Sequence, residues 1–394
     1  MTKRLLLFAS TTGYQIRAFA DAARRLGVEF TLATDRCHVM DDPWGDRAVA
    51  VKFDRVAESL DGLRGMQFDG VAAVGDRPAI LAAEAAEMLG LPFHPASAAR
   101  ACQDKYRARQ LYEAAGMRVP WYFRAESEDD AARAEYPCVL KPVGSSASRG
   151  VIRANDAAEF VAAFRRIGRM GEREVQVEGY IEGREFALEG LVTAGELRVL
   201  AIFDKPDPLT GPYFEETIYV TPSRESAEFQ QALERTASRA VQAIGLWQGP
   251  VHIELRNDWI LEAAARPIGG LCAKALRFGG GVPLEELILR HALGEDVSAL
   301  VREEVASGVM MIPIPKGGVY DGVDGVEQAA AVAGVEDVII TAQPGQRLIP
   351  LPEGSSYLGF LFARGEGAAD VEESLRRAHA ELRFRIATAL ETLQ

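Results

Sequence analysis

Cysteine and histidine are scarce in this chain: its 394 residues include 4 cysteines and 5 histidines. Cys37, Cys102, Cys138 and Cys272 lie far apart with no CxxC spacing. That excludes a disulfide framework and leaves structural zinc little to build on, so the cysteines read as reduced, mostly buried thiols. Basic charge is also short, with 44 Lys and Arg against 57 Asp and Glu and a formal net charge of −13. A nucleic-acid backbone needs a basic face, so no nucleic-acid partner is expected. Long apolar runs are missing too. None reaches the roughly 18 residues that cross a bilayer, and the opening Met-Thr-Lys-Arg-Leu-Leu-Leu-Phe-Ala-Ser turns polar too soon for a signal peptide. No membrane partner is expected, and a cytoplasmic location is. Neither the GxGxxG fingerprint nor the GxxxxGK[ST] order of a P-loop occurs, and there is no biotin-accepting Met-Lys-Met.

What is present is the composition of a soluble globular protein, 48% hydrophobic and 26% charged. At roughly 150 residues per domain the length predicts two or three domains. The first block alternates strand (Arg4 to Ala9), helix (Tyr14 to Leu26), strand (Phe30 to Thr34), a later strand (Gly70 to Val74) and an alanine-rich helix (Pro78 to Leu89). That alternation predicts βαβ units and a doubly wound parallel-sheet α/β domain over residues 1–95. Ser10-Thr11-Thr12-Gly13 ends its first strand, where open α/β sheets bind ligands, but it is not a dinucleotide fingerprint.

The second block, residues 96–302, opens with a helix from Ser97, a good N-cap, to Ala115. Lys105 and Arg109 lie one turn apart on it, an arrangement that plain solvation also satisfies. Lys141 then sits on a short buried strand before the loop Gly144-Ser145-Ser146-Ala147-Ser148-Arg149-Gly150. Backbone N–H groups of such a loop can wrap phosphates while the lysine neutralises charge, although Gly and Ser also fill ordinary turns. In Glu178-Gly179-Tyr180-Ile181 an acidic residue followed by exposed backbone groups could read an adenine edge, and Glu185, seven residues on, could accept from ribose hydroxyls. Finally, Val251-His252-Ile253-Glu254-Leu255 and Leu261-Glu262-Ala263-Ala264-Ala265-Arg266 flank the turn-like Arg256-Asn257-Asp258. A hairpin there brings Glu254 and Glu262 side by side. Mg²⁺ prefers oxygen ligands, and the Arg266 fork suits a carboxylate or phosphoryl group. A surface hairpin with scattered charges fits the same pattern. His252 alternates onto the face of Glu254, though a lone strand histidine is more often structural.

Taken in order, these segments resemble the ATP-grasp superfamily over about residues 1–300. The resemblance implies an α/β domain followed by a two-lobed ATP-grasp fold, with ATP between two α+β lobes. It implies nucleotide contacts from Lys105 and Lys141 and a flexible phosphate cover from Gly144 to Gly150, with Ser145, Ser146 and Ser148. Glu178 would accept from the adenine amino group, the backbone near Gly179 and Ile181 would complete the purine contacts, and Glu185 would hold the ribose. Glu254 and Glu262 would be the magnesium carboxylates. Arg266, with Lys141, would serve the chemistry by steadying an acyl phosphate or tetrahedral species. One departure stands out: the superfamily commonly has Glu-x-Asn-x-Arg from the second metal carboxylate, and here Ala264 replaces the asparagine. An alanine side chain offers no oxygen to a cation.

The third block, residues 303–394, is expected to be an α+β cap. It has strand-like runs at Gly308 to Ile312, Val338 to Thr341 and Tyr357 to Ala363, then a long amphipathic helix from Ala369 to about Leu393. With Glu262 through Gly294 it resembles the branch that includes bacterial L-amino-acid ligases and, more distantly, biotin carboxylases. That implies an ATP- and Mg²⁺-dependent carboxylate–amine ligase with amino-acid or small carboxylic-acid substrates, in a family with many homodimers. A bicarbonate-activating carboxylase and a nucleotide-binding regulator are the alternatives. Lys205, Glu215 and Glu216, in a segment that interrupts the second lobe, are candidate substrate contacts, as are Gly269 and Gly270, although a solvated loop explains the charges equally well.

Overall fold

The computed structural model describes residues 2–10, 14–35 and 47–388. Thr11 to Gly13 and Cys37 fall outside them. The chain forms two compact units, one of Met1–Met117, Leu188–Ile202 and Glu228–Glu303, the other of Arg118–Ala187, Phe203–Ala227 and Glu304–Gln394.

The first unit contains a four-stranded parallel sheet in the order Ala48–Ala50, Glu29–Thr34, Arg4–Ala9, Gly70–Val74. Leu5, Leu6, Leu7, Phe8 and Ala9 are wholly buried, which is why that strand reads as a continuous apolar run rather than an alternating one. Helices Ile16–Leu26 and Asp76–Leu89 both end in a left-handed glycine, Gly27 and Gly90. The expected helix from Ser97 to Ala115 is two helices, Ala96–Gln103 and Lys105–Ala114. Asp104 breaks it by adopting extended backbone, and its carboxylate accepts the Arg107 N–H. The competing cap at Asp104 wins over helix continuation, as short acidic side chains tend to do. Pro95, not Ser97, precedes the first of the two. The unit also holds the hairpin of Gly249–Arg256 and Trp259–Ala264 and the helix Leu284–Ala292.

The second unit has an antiparallel sheet in the order Tyr122–Ala125, Val175–Gly179, Cys138–Pro142, Ile152–Ala154. Helix Ala157–Arg169, capped by Asp156, covers it with Phe160, Ala163 and Ile167. A second antiparallel arrangement runs Ile218–Thr221, Ala306–Ile312, Gly359–Gly365, Val335–Ile340, packed on Val371, Leu375 and Ala378 of helix Ala368–Glu381. The C-terminal helix is therefore shorter than expected. Its sequence changes period after Glu381, and Arg383–Ala387 forms a strand paired with Gly318–Asp324. Phe384 and Ile386 point into the core cluster while Arg385 meets Asp321 at 3.2 Å, so a period-two pattern overrides helix propensity.

Candidate functional site

In the first unit the hairpin sets Glu254 directly opposite Glu262. Its turn, Asn257-Asp258, pairs Arg256 with Trp259 and Leu255 with Ile260, and regular continuation would set Glu254 against Leu261. A bulge after Glu254 absorbs that one-residue mismatch and returns both carboxylates to one face. Both side chains are about a quarter exposed, at 27% and 25%. Lys105, first residue of its helix, reaches Glu262 at 3.0 Å. Arg109, one turn on, is not solvated but 1% exposed, donating to the Ile260 carbonyl at 2.8 Å.

His252 stands opposite Ala264 on the same hairpin face. The small alanine thus occurs where the neighbouring strand carries a full imidazole. His252 Nδ1 bonds Glu189, and Nε2 lies 3.4 Å from Glu254. Burial alone would lower its pKa, but the charge of Glu189 and hydrogen bonds to Glu189 and Glu254 outweigh it and raise the value to about 9. Glu189, 1% exposed, also accepts the Ile268 N–H at 3.1 Å and so fixes the turn leading to Gly269 and Gly270. Arg266 forks onto Asp76 at 2.9 and 3.5 Å and donates to the Pro267 carbonyl at 3.0 Å. Burial opposes its charge, yet Asp76, with Glu262 and Glu189, holds its pKa above the ordinary arginine value.

In the second unit Lys141, 8% exposed, pairs with Glu178. The two stand on neighbouring strands whose register sets Lys141 against Gln176 and Val139 against Glu178. The Gln176 amide donates to Glu178 at 2.7 Å, while its oxygen is buried with no hydrogen-bond partner. Gly179 has Trp121 so near that a Cβ would lie 2.8 Å from the indole nitrogen. Ile181 follows it, half-buried. Of the candidate substrate residues, Lys205 and Glu216 are paired with each other, and Lys205 also lies 3.4 Å from Glu185 and 5.1 Å from the Tyr219 ring centre. Glu215, next to Glu216 in the chain, is half-buried. Burial raises its pKa, partly offset by a hydrogen bond from the Ile314 backbone. The segment from 205 to 217 is not a solvated loop: Leu209 and Phe214 pack with Val139, Val151 and Tyr180.

The glycine- and serine-rich loop carries Ala147 and Ser148 in the left-handed region, at φ 55° and 54°. Ser145 donates to Glu172 at 3.0 Å, Ser146 is exposed and Ser148 half-buried.

Sequence reasoning missed Glu189, Asp76, Gln176 and Glu172. Glu189 carried a signal, a lone carboxylate inside the apolar run Phe186 to Val192, because buried charges are paired. Asp76 lies just past the end of strand Gly70–Val74, the edge where open sheets place ligands.

Comparison with known proteins accounts for the order of these segments. A model of the ATP-grasp N-terminal domain matches residues 20–93, one of the ATP-grasp domain matches 134–275, and one of the L-amino acid ligase C-terminal domain 2 matches 310–387. The crystal structure of L-amino acid ligase from Bacillus licheniformis superposes with a TM-score of 0.84 and 27% identity, covering 98% of this chain and 99% of that one. Alanine–anticapsin ligase of Bacillus subtilis is 28% identical over 52% of this chain and 50% of its own length. A D-alanine–D-alanine ligase of Stutzerimonas stutzeri is 28% identical over 46% of this chain. The matched region spans 61% of that relative's length. Three domain matches in family order, on this fold, show that the chain belongs to the ATP-grasp superfamily, in the ATP-dependent carboxylate–amine ligase branch that resembles bacterial L-amino-acid ligases.

Proposed function

We propose that this chain joins two L-amino acids, or an amino acid and a related small acid, through an acyl phosphate, releasing ADP and phosphate. The reading divides the chain into an N-terminal domain (1–95), an ATP-grasp domain (96–302) and a cap (303–394). The observation that carries it is the Glu254 and Glu262 pair, set in register by a bulge with Lys105 on one carboxylate and His252 beside the other.

These donors suit Mg²⁺, a hard cation that takes carboxylate oxygens at one or two positions and phosphate or water at the rest. When bound, the cation neutralises phosphoryl oxygens. Glu254 and Glu262 would hold it, with no third oxygen from Ala264. Lys141 and the backbone of the 144–150 loop take the nucleotide phosphates, and Lys105 adds a second ammonium. Glu178 and Glu185 accept from the adenine amino group and the ribose, and beside Glu178 the buried Gln176 oxygen is one hydrogen bond short.

A carboxylate does not acylate an amine unaided, because an oxide is a poor leaving group. Phosphorylation converts it to an acyl phosphate, and phosphoryl transfer needs positioning and charge neutralisation more than covalent help. Arg266 uses three of its five N–H groups within the chain and keeps others for the substrate carboxylate and the oxyanion formed on amine attack. Lys205 and Glu216, an ion pair with its lysine buried and its carboxylate half-buried, are proposed to orient the charged ends of an amino acid.

Phosphate release from ATP and Mg²⁺, measured against a matrix of paired L-amino acids and small acids with mass spectrometry of positive wells, tests this reading. Release should need both partners and yield a product lighter by one water than their sum. Glu262→Gln and Arg266→Ala should each lower turnover by about two to four orders of magnitude, as loss of transition-state charge stabilisation does, with ATP binding retained in the arginine variant. Wild-type turnover in either sinks the assignment. Release that needs bicarbonate instead supports a carboxylase, and ATP binding without release supports a regulator.

A further inference from the structure

The glycine- and serine-rich loop is fastened to the C-terminal segment of its own unit. The Gly150 N–H donates to the Pro352 carbonyl at 2.9 Å and Arg149 Nε to the Glu353 carbonyl at 3.2 Å. The Glu353 side chain is gripped in turn by Arg166, at 2.5 and 3.0 Å through two guanidinium nitrogens, and Arg166 also bonds the Tyr213 hydroxyl. Such two-point forks fix orientation as well as contact. The segment that offers these carbonyls is itself tightly built: Gly354 N–H donates to Pro350 at 2.9 Å, and a Cβ on Gly354 would fall 1.8 Å from the Ile349 oxygen. On the loop side, Gly150 has φ 74°, and a Cβ there would meet Pro142 at 2.6 Å. Only glycine fits between that proline and the C-terminal segment.

Two serines of this loop carry different restraints. Ser145 and Arg149 converge on the same Glu172 oxygen, at 3.0 and 2.6 Å, whereas Ser146 is exposed. The loop is therefore pinned at its far end and at one seryl position, and spans the rest through residues in left-handed backbone.

We infer that Glu353 is a positioning residue for nucleotide binding: Arg166 grips its carboxylate and so fixes the segment whose Glu353 and Pro352 carbonyls hold Arg149 and Gly150, and in this way the C-terminal segment sets how the 144–150 loop meets ATP phosphates. The inference rests on the proposed role of the loop. It assigns the C-terminal segment a part in ATP affinity and in shielding the acyl phosphate, beyond its packing. A loop loosened at Gly150 closes less completely, admits water and lets phosphate be released without amide. The Arg166 and Glu353 side chains are 39% and 38% exposed, so the pair contributes little to overall stability and its loss should leave the fold intact.

The test compares wild type, Glu353→Ala, Arg166→Ala, the double variant, and Arg165→Ala as a charge-loss control whose partner is Glu128. In the wild type, substrate-dependent phosphate release must first be present; its absence defeats the ligase reading and not the latch. Trypsin cleavage after Arg149, followed by mass spectrometry, needs no turnover. It should speed up at least tenfold in Glu353→Ala, and ATP should slow it less than in wild type. In the assay, KM for ATP should rise about tenfold while KM for the amino acids changes less than twofold, and phosphate released per amide formed should rise severalfold. The double variant should be no worse than either single one, the mark of residues acting through each other. Cleavage and KM for ATP equal to those of the control, or a uniform loss for all substrates tracking a lowered Tm, overturns the inference.

Discussion

Two of the buried histidines in the first unit, His94 and His252, are driven in opposite directions by what surrounds them. His94, 1% exposed, donates from Nε2 to the Pro250 carbonyl at 2.9 Å and accepts the Trp247 N–H on Nδ1 at 3.1 Å. That pairing needs a neutral ring, and burial lowers its pKa from 6.5 to about 4. His252 faces two carboxylates and is raised to about 9. The stability consequences have opposite signs. For His94 the unfolded chain binds the proton more readily, so its contribution is full above pH 6.5 and is lost as pH falls towards 4. For His252 it is full below pH 6.5 and is lost as pH rises through about 9. Between pH 7.5 and 5 the His94 effect amounts to roughly 2 kcal/mol of unfolding free energy. Urea unfolding of wild type and His94→Gln at both pH values measures it. The variant should be less stable at pH 7.5 but lose less on acidification, and equal losses would show that His94 is not held neutral.

At the scale of elements, the hairpin carrying Glu254 and Glu262 shows both what periodicity reveals and where it stops. Two apolar runs around Asn257-Asp258 identify the hairpin from sequence. Register does not follow from them, because plain two-residue counting places Glu262 on the face away from Glu254, and only the bulge restores it. The turn itself depends on Asn257 at φ 49°, a conformation asparagine and glycine adopt readily and β-branched residues resist. Asn257→Val should therefore cost about 1–2 kcal/mol and weaken Mg²⁺ dependence of turnover, whereas Asn257→Gly should stay near wild type. Urea midpoints and magnesium titrations of the two variants decide it, and equal behaviour removes the turn as a determinant. Elsewhere the limits have the same character. Three strands of the first sheet were legible because burial makes them mostly apolar runs, whereas the short, half-exposed Ala48–Ala50 was not. The break at Asp104 and the switch to a strand at Arg383 were not, since each depends on a cap or a partner strand distant in sequence. Among the site residues, Lys141, Glu178 and the hairpin carboxylates stood out by order and spacing. Asp76 and Glu172 did not, because their roles depend on arginines distant in sequence that reach them.

At the scale of the whole molecule, neither compact unit is a continuous stretch of chain, and the polypeptide passes from one to the other at five points. One core cluster of the second unit joins Ile218 and Val220 to residues from Ala306 onward, including Met310, Leu361, Val371 and Leu375. Removing residues 304–394 therefore strips most of the apolar surroundings from strand Ile218–Thr221. The shortened chain should lose a cooperative unfolding transition for that unit, with the Cys138 thiol, now 0% exposed and raised by burial to about 12, becoming reactive to a thiol reagent. Retained protection of Cys138 would show that its sheet and helix stand without the C-terminal portion. The same interleaving bears on biosynthesis. Strand Ile218–Thr221 leaves the ribosome well before its neighbour Ala306–Ile312 has been made. At about 5–20 residues per second, that interval of roughly 90 residues leaves an apolar edge waiting for about 5–20 seconds, long enough for chaperone capture or for aggregation to compete with native pairing.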